Sequence, residues 1–387
     1  METGARGHAA SRHRNHHGAP SPLDRLANWR NSLLQNRHFL HWAQRLPLLR
    51  WVARHRARDL FRLVSGFVNS QVLLACVDLN LLDLLAESAR SREAIGRACG
   101  LEKEPTRVLL QAAESLGLIE RQSGDRYRLA PLGVSLLSDP GLMALVRHHR
   151  ALYRDLEDPV GLLRGDNTST ALSAVWPYAK AESPQKLEQH AVSGYTDVMA
   201  ASQHMITEQI LHAFPFGSVR NLLDIGGGDG SFVAALALRF PQLQLSLFDL
   251  PSVAEIARQR LDAAGLSKRV QVFSGDFHQG DLPPGQDLVS LVRIVHDHDD
   301  EPALKLLQAA RQAMNPGGTL MIAEPLRATP GAEEMGAAYF GFYLLAMGSG
   351  RPRSFMELKE LLLKAGFQQI HQLKTPIPLI CSVVTAS

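Results

Sequence analysis

A glycine-rich turn between a buried strand and a helix constrains the fold of this chain more than any other feature. The run LLDIGGGDG at 222–230 places an apolar strand before Gly226, Gly227, Gly228 and Gly230, and an apolar helix pattern follows at once. Glycines in such a turn permit positive φ angles and let a ligand lie against bare backbone. The GxGxG spacing lacks the phosphate-sized cradle of the GxGxxG form.

From Val219 onward, short apolar runs alternate with amphipathic helices, which predicts an α/β fold with a Rossmann-like, doubly wound sheet. We predict strands at 220–225, 244–249, 270–274, 287–293, 319–324, 368–374 and 379–385, and helices at 231–240, 252–264, 301–314 and 354–365. A tight turn through Pro376 and Pro378 joins the last two strands, so we expect them to pair antiparallel beside a mostly parallel sheet.

Chemically suited residues follow the next two strands of this predicted sheet. Asp249 ends the strand after the glycine turn, where an acid can bind both hydroxyls of a ribose. Asp276 and Phe277 follow the next strand, where an acid beside an aromatic ring suits an adenine. Because ligands of such sheets lie outside the carboxyl ends of the strands, these positions and the glycine turn predict one crevice.

The fourth and fifth strands end in groups suited to proton transfer. Arg293 and His296 follow the fourth strand, and Glu324 ends the fifth. Glu324 can accept a hydrogen bond from the second ring nitrogen of His296 and fix its tautomer, as general-base catalysis requires. With an imidazole near its ordinary pKa of ~6.5, His296 would be a competent base at neutral pH.

The run His296-Asp297-His298-Asp299-Asp300 is also compatible with a divalent metal site. We favour a site without metal, because consecutive residues of an extended chain point to opposite sides. Several of these residues are instead expected to cap the helix that follows.

The first 62 residues hold 12 Arg, no Lys and three acidic residues, a net charge of +9, so the remaining chain carries −6. We interpret 1–22 as a disordered tail and 23–63 as a basic amphipathic helical arm. The Trp and Leu residues of this arm suit either a membrane interface or a packing face. Residues 64–140 are a predicted winged-helix domain, 141–215 a helical connector and 216–387 the α/β domain.

Several general features bear on where the protein acts. No apolar run of 18 residues and no secretory signal is found, and the three cysteines are scattered. We therefore expect a cytoplasmic protein that contacts the membrane only peripherally, through 23–63.

The winged-helix pattern raises a second hypothesis, a transcription regulator with a cofactor-sensing domain. The helix that would read DNA, 105–116, offers Arg107 beside Glu104 and Glu114. Base readers need several cationic or amide side chains on such a helix. We therefore predict a structural winged helix and no nucleic-acid partner.

These motifs resemble those of the small-molecule O-methyltransferases typified by plant caffeate and animal acetylserotonin methyltransferases. The resemblance covers residues 65–385 and rests on DIGGGDG, FDLP at 248–251, GDF at 275–277, RIVHD at 293–297, NPGG at 315–318, the Glu324 strand end and AGF at 365–367. Within this family the chain is most similar to the bacterial carotenoid branch, the hydroxyneurosporene and demethylspheroidene O-methyltransferases. That similarity lies in its WRN opening, SGFVNSQVLLAC at 65–76 and HDHDD.

The resemblance implies S-adenosylmethionine (SAM) as the cofactor, a homodimer joined through the N-terminal domain, and His296 with Glu324 as the catalytic pair. The implied cofactor contacts are Asp224, Gly226, Gly228, Asp249, Leu250, Asp276, Phe277 and Arg293. Two positions depart from the plant pattern. His298 stands where the plant enzymes carry Trp, and Pro352 stands where they carry a Glu that also contacts the catalytic His.

The implied substrate is a hydrophobic small molecule with a hydroxyl, namely the tertiary 1-hydroxyl of an acyclic carotenoid. A phenolic or polyketide substrate is the alternative. The apolar segment 335–347 is either the wall of such a substrate site or an ordinary buried helix.

Overall fold

The structure is a computed structural model that describes residues 21–36, 38–39, 42, 46–166, 169–175, 202–279 and 282–387. Residues 1–20 of the predicted tail, parts of the arm, and 176–201 of the predicted connector lie outside the described residues. The chain divides into two compact units, Met1–Gln71 and Val72–Ser387.

The first unit contains helix α1, Pro22–Gln35, and most of helix α2, Pro47–Asp78. Helix α1 begins with a capping box in which the Ser21 side chain and Asp24 each accept from the other's backbone N–H, and none of its residues is buried. The predicted boundary at 63/64 lies within α2. Helix α2 leaves several large apolar side chains exposed, namely Trp51, Leu60, Phe61, Leu63, Val64, Phe67 and Val68.

Among the described residues, one helix is long and apolar enough to cross a membrane. It is Leu49–Asp78, whose most apolar 18-residue window has a mean hydropathy of 1.6 and is 17% buried. The sequence shows no uninterrupted apolar run because polar residues such as Ser65 and Asn69 break it, whereas a mean tolerates them. Near the end of the helix, Cys76 and Val77 are buried in protein. Length and composition alone do not identify a membrane-spanning helix, because core helices of soluble proteins share both properties.

The second unit opens with a winged-helix arrangement. Its elements are helices α3 (Leu81–Glu87), α4 (Arg92–Cys99) and α5 (Lys103–Ser115) and strands β1 (Arg90–Ser91), β2 (Ile119–Gln122) and β3 (Arg126–Leu129). The three strands form an antiparallel sheet in the order β1-β3-β2. Arg107 on α5 donates hydrogen bonds to Glu104 and Gln111 of its own helix, so its guanidinium is already engaged.

Helices connect this part of the chain to the large sheet. They are α6 (Pro131–Leu137), α7 (Pro140–Asp155), α8 (Pro159–Arg164), α9 (Ala171–Val175) and α10, which covers 202–213 of the described residues. Helix α7 begins at Pro140 because the Asp139 side chain accepts from the backbone N–H groups of Gly141 and Leu142.

Seven strands form the large sheet, and they confirm the predicted α/β class. They are β4 (Asn221–Ile225), β5 (Gln244–Asp249), β6 (Val270–Ser274), β7 (Gln286–Val292), β8 (Met314–Glu324), β9 (Ile370–Leu373) and β10 (Ser382–Ala386). Their order is β6-β5-β4-β7-β8-β10-β9, with β4 to β8 parallel and β10 antiparallel to both neighbours. Strand β8 begins earlier than predicted, because Met314 pairs with Gln286 across a register shift.

Helices cover both faces of the sheet. They are α11 (Ser231–Arg239), α12 (Pro251–Ala263), α13 (Asp300–Ala313) and α15 (Phe355–Lys364), whereas α14 (Phe340–Met347) packs against the connecting helices in a separate buried cluster with Leu152, Leu162 and Leu172. One buried apolar cluster joins α13 and α15 to the sheet, and a second joins α10, α11 and α12 to it. The carboxyl ends of β4 to β8 carry the predicted site residues.

Candidate active site

The glycine turn after β4 has the backbone that its sequence requires. Gly226, Gly228 and Gly230 have φ angles of 69°, 60° and 81°, which L residues with a Cβ rarely adopt. A Cβ on Gly226 would collide with the Ile294 side chain, whereas a Cβ on Gly228 would meet no atom within 4 Å. Packing within the protein therefore requires Gly226, while the space at Gly228 leaves bare backbone for a ligand.

Asp249 lies at the end of β5 and supports this turn directly. Its Oδ2 accepts from the backbone N–H of Gly228 at 2.8 Å, and its Oδ1 accepts from that of Leu250 at 2.7 Å. Burial raises the pKa of Asp249 to about 6, although the two hydrogen bonds oppose that shift. Asp249 is therefore hydrogen-bonded to both of the other predicted contacts, Gly228 and Leu250.

Asp224 is a second carboxylate beneath the turn. Its side chain is 1% exposed, and its Oδ1 accepts from the Ser290 hydroxyl at 2.6 Å. Burial raises the pKa of Asp224 to about 7; the Ser290 hydrogen bond opposes the shift, and the nearby charge of Asp249 adds to it.

Asp276 and Phe277 follow β6, as predicted, and both are half-buried. The Phe277 ring meets the His298 ring edge-on, with centroids 5.5 Å apart. The predicted adenine position thus contacts the loop that carries His296.

Arg293 follows β7 with a φ of 58°, a backbone strain that concentrates at functional sites. Its guanidinium donates to the Ser202 hydroxyl at 2.8 Å and to Gln203 Oε1 at 2.6 Å, both on α10. Its backbone N–H donates to the carbonyl of Ala323. The predicted cofactor residue therefore joins two strand ends to α10.

His296 lies in a 3₁₀ turn, Val295–Asp297, and is 4% exposed. Its Nε2 lies 3.3 Å from Asp297 Oδ1, and its Nδ1 has no hydrogen-bond partner among the described residues. Asp297 was not predicted as a partner of the His296 ring, because an extended chain was expected at this point. The tight turn instead brings these two neighbouring side chains together.

The predicted hydrogen bond between Glu324 and the ring of His296 is wrong for this structure. Glu324 Oε2 accepts from the backbone N–H of His296 at 3.0 Å, because the 3₁₀ turn presents that group to the end of β8. Its Oε1 is buried without a partner among the described residues. Glu324 therefore holds the backbone at the base.

The expectation of an ordinary imidazole pKa is also wrong. Burial, with the charges of Arg293, Arg353 and His298, lowers the pKa of His296 to about 3. Burial likewise raises the pKa of Glu324 to about 7 and raises that of Asp297 well above its usual range. His296 is therefore neutral at neutral pH, the form that a general base requires, and the same surroundings make it a weaker proton acceptor than a free imidazole.

The acids after His298 do not cap α13 through their side chains. Asp299 occupies the N-cap position but makes no side-chain capping bond, and its Oδ1 accepts from the backbone N–H of Gly350. Asp300 pairs with Arg351 and Arg353. Among the described residues, no group of three or more His, Cys, Asp or Glu side chains could hold a metal ion.

The predicted substrate wall adjoins His296. A π-helical turn, Glu334–Tyr339, leads into α14, and the Phe340 ring lies 5.6 Å from the His296 ring. Tyr339 and Tyr343 each form a 2.8 Å hydrogen bond to a histidine of α7, His149 and His148 respectively.

These histidine–tyrosine pairs were not found from the sequence, because no local motif marks them. Burial lowers the pKa of both histidines, that of His149 to about 4, and raises the pKa of both tyrosines. Both pairs are therefore neutral hydrogen bonds that fix the wall beside the base.

The site's groups fit a nucleoside cofactor with an amino-acid part. The turn at Gly228 offers open backbone, and Asp224 and Asp249 offer buried carboxylates at adjacent strand ends. Carboxylates suit ribose hydroxyls and an ammonium group, and the neutral imidazole of His296 follows β7, the strand next to β4. Together with the parallel sheet closed by β10, these features define the class of Rossmann-like methyltransferases.

Comparisons with known proteins agree with this class. An O-methyltransferase domain model matches residues 153–368, and an O-methyltransferase dimerisation domain model matches 61–139. The chain is 40% identical over 354 residues to demethylspheroidene O-methyltransferase of Cereibacter sphaeroides, covering 92% of this chain and 93% of that protein. It is 29% identical to acetylserotonin O-methyltransferase of Mus musculus, covering 81% and 84% respectively.

Solved structures share the fold. The structure of human N-acetylserotonin methyltransferase in complex with SAM matches with a TM-score of 0.71 and 24% identity, covering 86% of this chain and 97% of that chain. The structure of mitomycin 7-O-methyltransferase matches with a TM-score of 0.70 and 25% identity, covering 87% and 98%. This chain belongs to the O-methyltransferase family and is a SAM-dependent O-methyltransferase.

Proposed function

We propose that this enzyme methylates the tertiary 1-hydroxyl of an acyclic carotenoid, with His296 as the general base. The observation that carries the substrate proposal is the 40% identity to demethylspheroidene O-methyltransferase over nearly the whole chain. The aromatic ring of Phe340 beside His296 supports it, because this partly buried ring is an apolar surface that suits a polyene.

The unpartnered Nδ1 of His296 supports its assignment as the base. A buried nitrogen without a partner is costly, and a substrate hydroxyl would supply the missing hydrogen bond. Asp297, 3.3 Å from Nε2, would then orient the ring by accepting a hydrogen bond from its Nε2–H, which leaves Nδ1 as the proton acceptor. Glu324 would hold the turn through the backbone N–H of His296.

When bound, SAM supplies the methyl group on a positively charged sulfur. The chain's own residues would orient the hydroxyl oxygen toward that methyl group and receive the hydroxyl proton at Nδ1 of His296. An aliphatic alcohol holds its proton too tightly to ionise first. Proton transfer to His296 is therefore expected to be concerted with formation of the new oxygen–carbon bond, while the methyl–sulfur bond would break and leave a neutral thioether.

The test is incubation of the purified full chain with methyl-labelled SAM and a panel of acceptors, followed by mass spectrometry. The panel contains demethylspheroidene, hydroxyneurosporene and several phenols. We expect one labelled methyl group on each carotenoid and slower transfer to the phenols. Transfer to phenols alone would contradict the carotenoid proposal and leave the enzyme class untouched.

Treatment with a chelator distinguishes proton transfer to His296 from catalysis that needs a metal ion. EDTA is expected to leave turnover unchanged, because the proposed proton transfer uses only protein side chains. A loss of turnover that added metal restores would contradict the role of His296.

We also propose that the enzyme is a homodimer joined through its dimerisation domain, 61–139. The support is the run of exposed apolar side chains on α2, including Phe61, Val64 and Phe67. Monomeric proteins rarely expose contiguous apolar patches of this kind. Light scattering of the full chain is expected to give twice the chain mass, and Phe67→Glu is expected to shift it toward the monomer.

We further propose that residues 23–63 hold the enzyme on the cytoplasmic face of a membrane, where a carotenoid substrate dissolves. Trp29, Trp42 and Trp51 are all more than half exposed, and the first 62 residues carry a charge of +9. Near an anionic leaflet each Arg contributes about 1 kcal/mol, and this attraction decays within a Debye length of ~8 Å at physiological salt.

Co-sedimentation with vesicles tests the membrane proposal. The full chain is expected to bind anionic vesicles more tightly than neutral ones, and binding is expected to weaken with added salt. A full-length variant with Arg54, Arg56 and Arg58 changed to Gln should lose most of the anionic preference and retain cofactor binding. If the full chain stays in the supernatant with both vesicle types, the arm is a packing element.

A further inference from the structure

The loop that carries His296 is held by one distant segment of the chain. The carbonyls of residues 295–298, here called the base loop, each accept a hydrogen bond from the segment 349–353. Arg353 donates from Nη1 to the carbonyl of Val295 and from Nη2 to the carbonyl of His298, both at 2.8 Å. The Arg351 backbone N–H donates to the carbonyl of His296, and the Ser349 hydroxyl donates to that of Asp297, both at 2.9 Å.

Arg353 supplies the hydrogen bonds to the first and last carbonyls of the base loop. Its side chain is 1% exposed, and its guanidinium binds the carbonyls of Val295 and His298, on either side of His296. It also donates from Nε and Nη2 to Asp300 Oδ1, at 3.0 and 2.8 Å. A buried cation is costly unless its donors are satisfied, and the planar guanidinium matches these three acceptors.

Backbone shape lets the segment approach this closely. Gly350 has a φ of 77°, and a Cβ there would collide with the carbonyl of His296. Pro352, which stands where the similar plant enzymes carry a Glu that contacts the catalytic His, has no backbone N–H to donate. The segment 349–353 therefore lies directly against the base loop and donates hydrogen bonds to its backbone carbonyls.

We propose that Arg353 is a positioning residue that fixes His296 for proton transfer by holding the backbone on both sides of it. The inference rests on the proposed role of His296 as the base. Misplacement of a reacting group by about 1 Å can lower a rate by about 10²-fold, so the rigidity of this loop bears directly on turnover.

Arg353 also acts on His296 through its charge. The groups that face the imidazole are Arg293 from β7, Asp297 and His298 from the base loop, Glu324 from β8 and Arg353 from the segment. The cations, Arg353 among them, lower the pKa of His296 and thereby disfavour the imidazolium. Removing the charge of Arg353 should therefore raise that pKa, whereas a merely structural residue would leave it unchanged.

The experiment compares Arg353→Met, Arg353→Lys and Arg351→Met in the full chain, with demethylspheroidene and SAM as substrates. Arg353→Met is expected to lower kcat by about 10–100-fold, with KM and calorimetric cofactor affinity within about threefold of wild type. The acid limb of its kcat profile should move to higher pH. Arg353→Lys keeps the positive charge but loses the planar set of guanidinium donors. The acid limb of its kcat profile should therefore stay at the wild-type pH, while kcat remains as low as in Arg353→Met.

Arg351→Met is the matched control, because Arg351 also pairs with Asp300 but reaches the base loop only through its backbone. It should lower kcat by less than about threefold. The proposal is overturned if both methionine variants lower kcat equally, or if Arg353→Met acts on KM or cofactor affinity with an unchanged acid limb. If Arg353→Met does not fold, a wild-type kcat in Arg353→Lys overturns it.

His296→Gln, assayed alongside, separates this inference from the proposed function. Wild-type turnover in His296→Gln would mean that the base lies elsewhere, and the proposed function would fail at that point. An inactive His296→Gln combined with a fully active Arg353→Met would contradict only the positioning role.

Discussion

The two halves of the crevice are built in different ways. The cofactor half, at the ends of β4 to β6, consists of a glycine turn supported by the carboxylate at the next strand end. The base half, at the ends of β7 and β8, is assembled from distant parts of the chain. Arg293 bonds to Ser202, and the base loop is held by Glu324 and by the 349–353 segment.

This difference separates binding from turnover. The positive φ angles of the turn are a local backbone property, and its one described side-chain support, Asp249, comes from the adjacent strand. The position of His296 instead depends on hydrogen bonds across the fold. Changes in the cofactor half should therefore alter affinity, and changes in the base half should alter rate.

The largest expected effect tests the base half. His296→Gln should lower kcat by about 10²–10⁴-fold, the usual contribution of a general base, while calorimetric affinity for SAM stays within about threefold of wild type. Single-turnover kinetics with demethylspheroidene measures the chemical step. A comparable loss of cofactor affinity would break the separation between the two halves.

A smaller effect is expected from Asp249→Ala in the cofactor half. Removal of this buried acceptor leaves the N–H of Gly228 without its partner and should weaken SAM binding by about 1–3 kcal/mol. At saturating SAM, kcat should be close to wild type. Unchanged affinity in calorimetry would show that Asp249 serves the turn and not the ligand.

Asp224→Asn should reveal the cost of keeping a buried carboxylate under the turn. The folded state raises the pKa of Asp224 to about 7. It therefore binds the proton more tightly than the unfolded chain, and wild-type stability falls as pH rises from about 4 to about 7. The variant lacks this loss, so the free energy of unfolding of the variant should gain on that of the wild type by up to about 1.4 kcal/mol for each pH unit of that window.

Urea unfolding of both proteins without cofactor, at several pH values, measures that difference. A constant difference across the window would mean that Asp224 is ionised throughout. We also expect the variant to bind SAM more weakly, because it removes a carboxylate that is predicted to contact the cofactor.

The smallest effect compares two glycines of the same turn. Gly228→Ala should destabilise the fold by about 1 kcal/mol through backbone strain alone, because its Cβ would meet no atom. Gly226→Ala should cost more, since its Cβ also collides with Ile294. Thermal unfolding without cofactor ranks the two variants, and the reverse order would contradict the geometry of the turn.

Local sequence patterns were enough to predict much of the α/β domain. Apolar runs and amphipathic periods give strands and helices whose ends mostly agree with those observed, because each pattern reflects burial within one element. The glycine turn and the position of Asp249 were predictable for the same reason. The glycines are needed for positive φ angles in the turn, and Asp249 is the last residue of its strand, so both can be recognised from neighbouring residues alone.

Only the tertiary structure decided how the base is held. The sequence predicts antiparallel final strands, but β10 inserts between β8 and β9, which sets Ser382 opposite Glu324. Glu324 then meets the backbone of His296, Asp297 meets its ring, and Arg353 reaches the base loop from a segment more than fifty residues later. Such partners carry no local signal, because a buried hydrogen bond joins whichever groups the packed elements bring together.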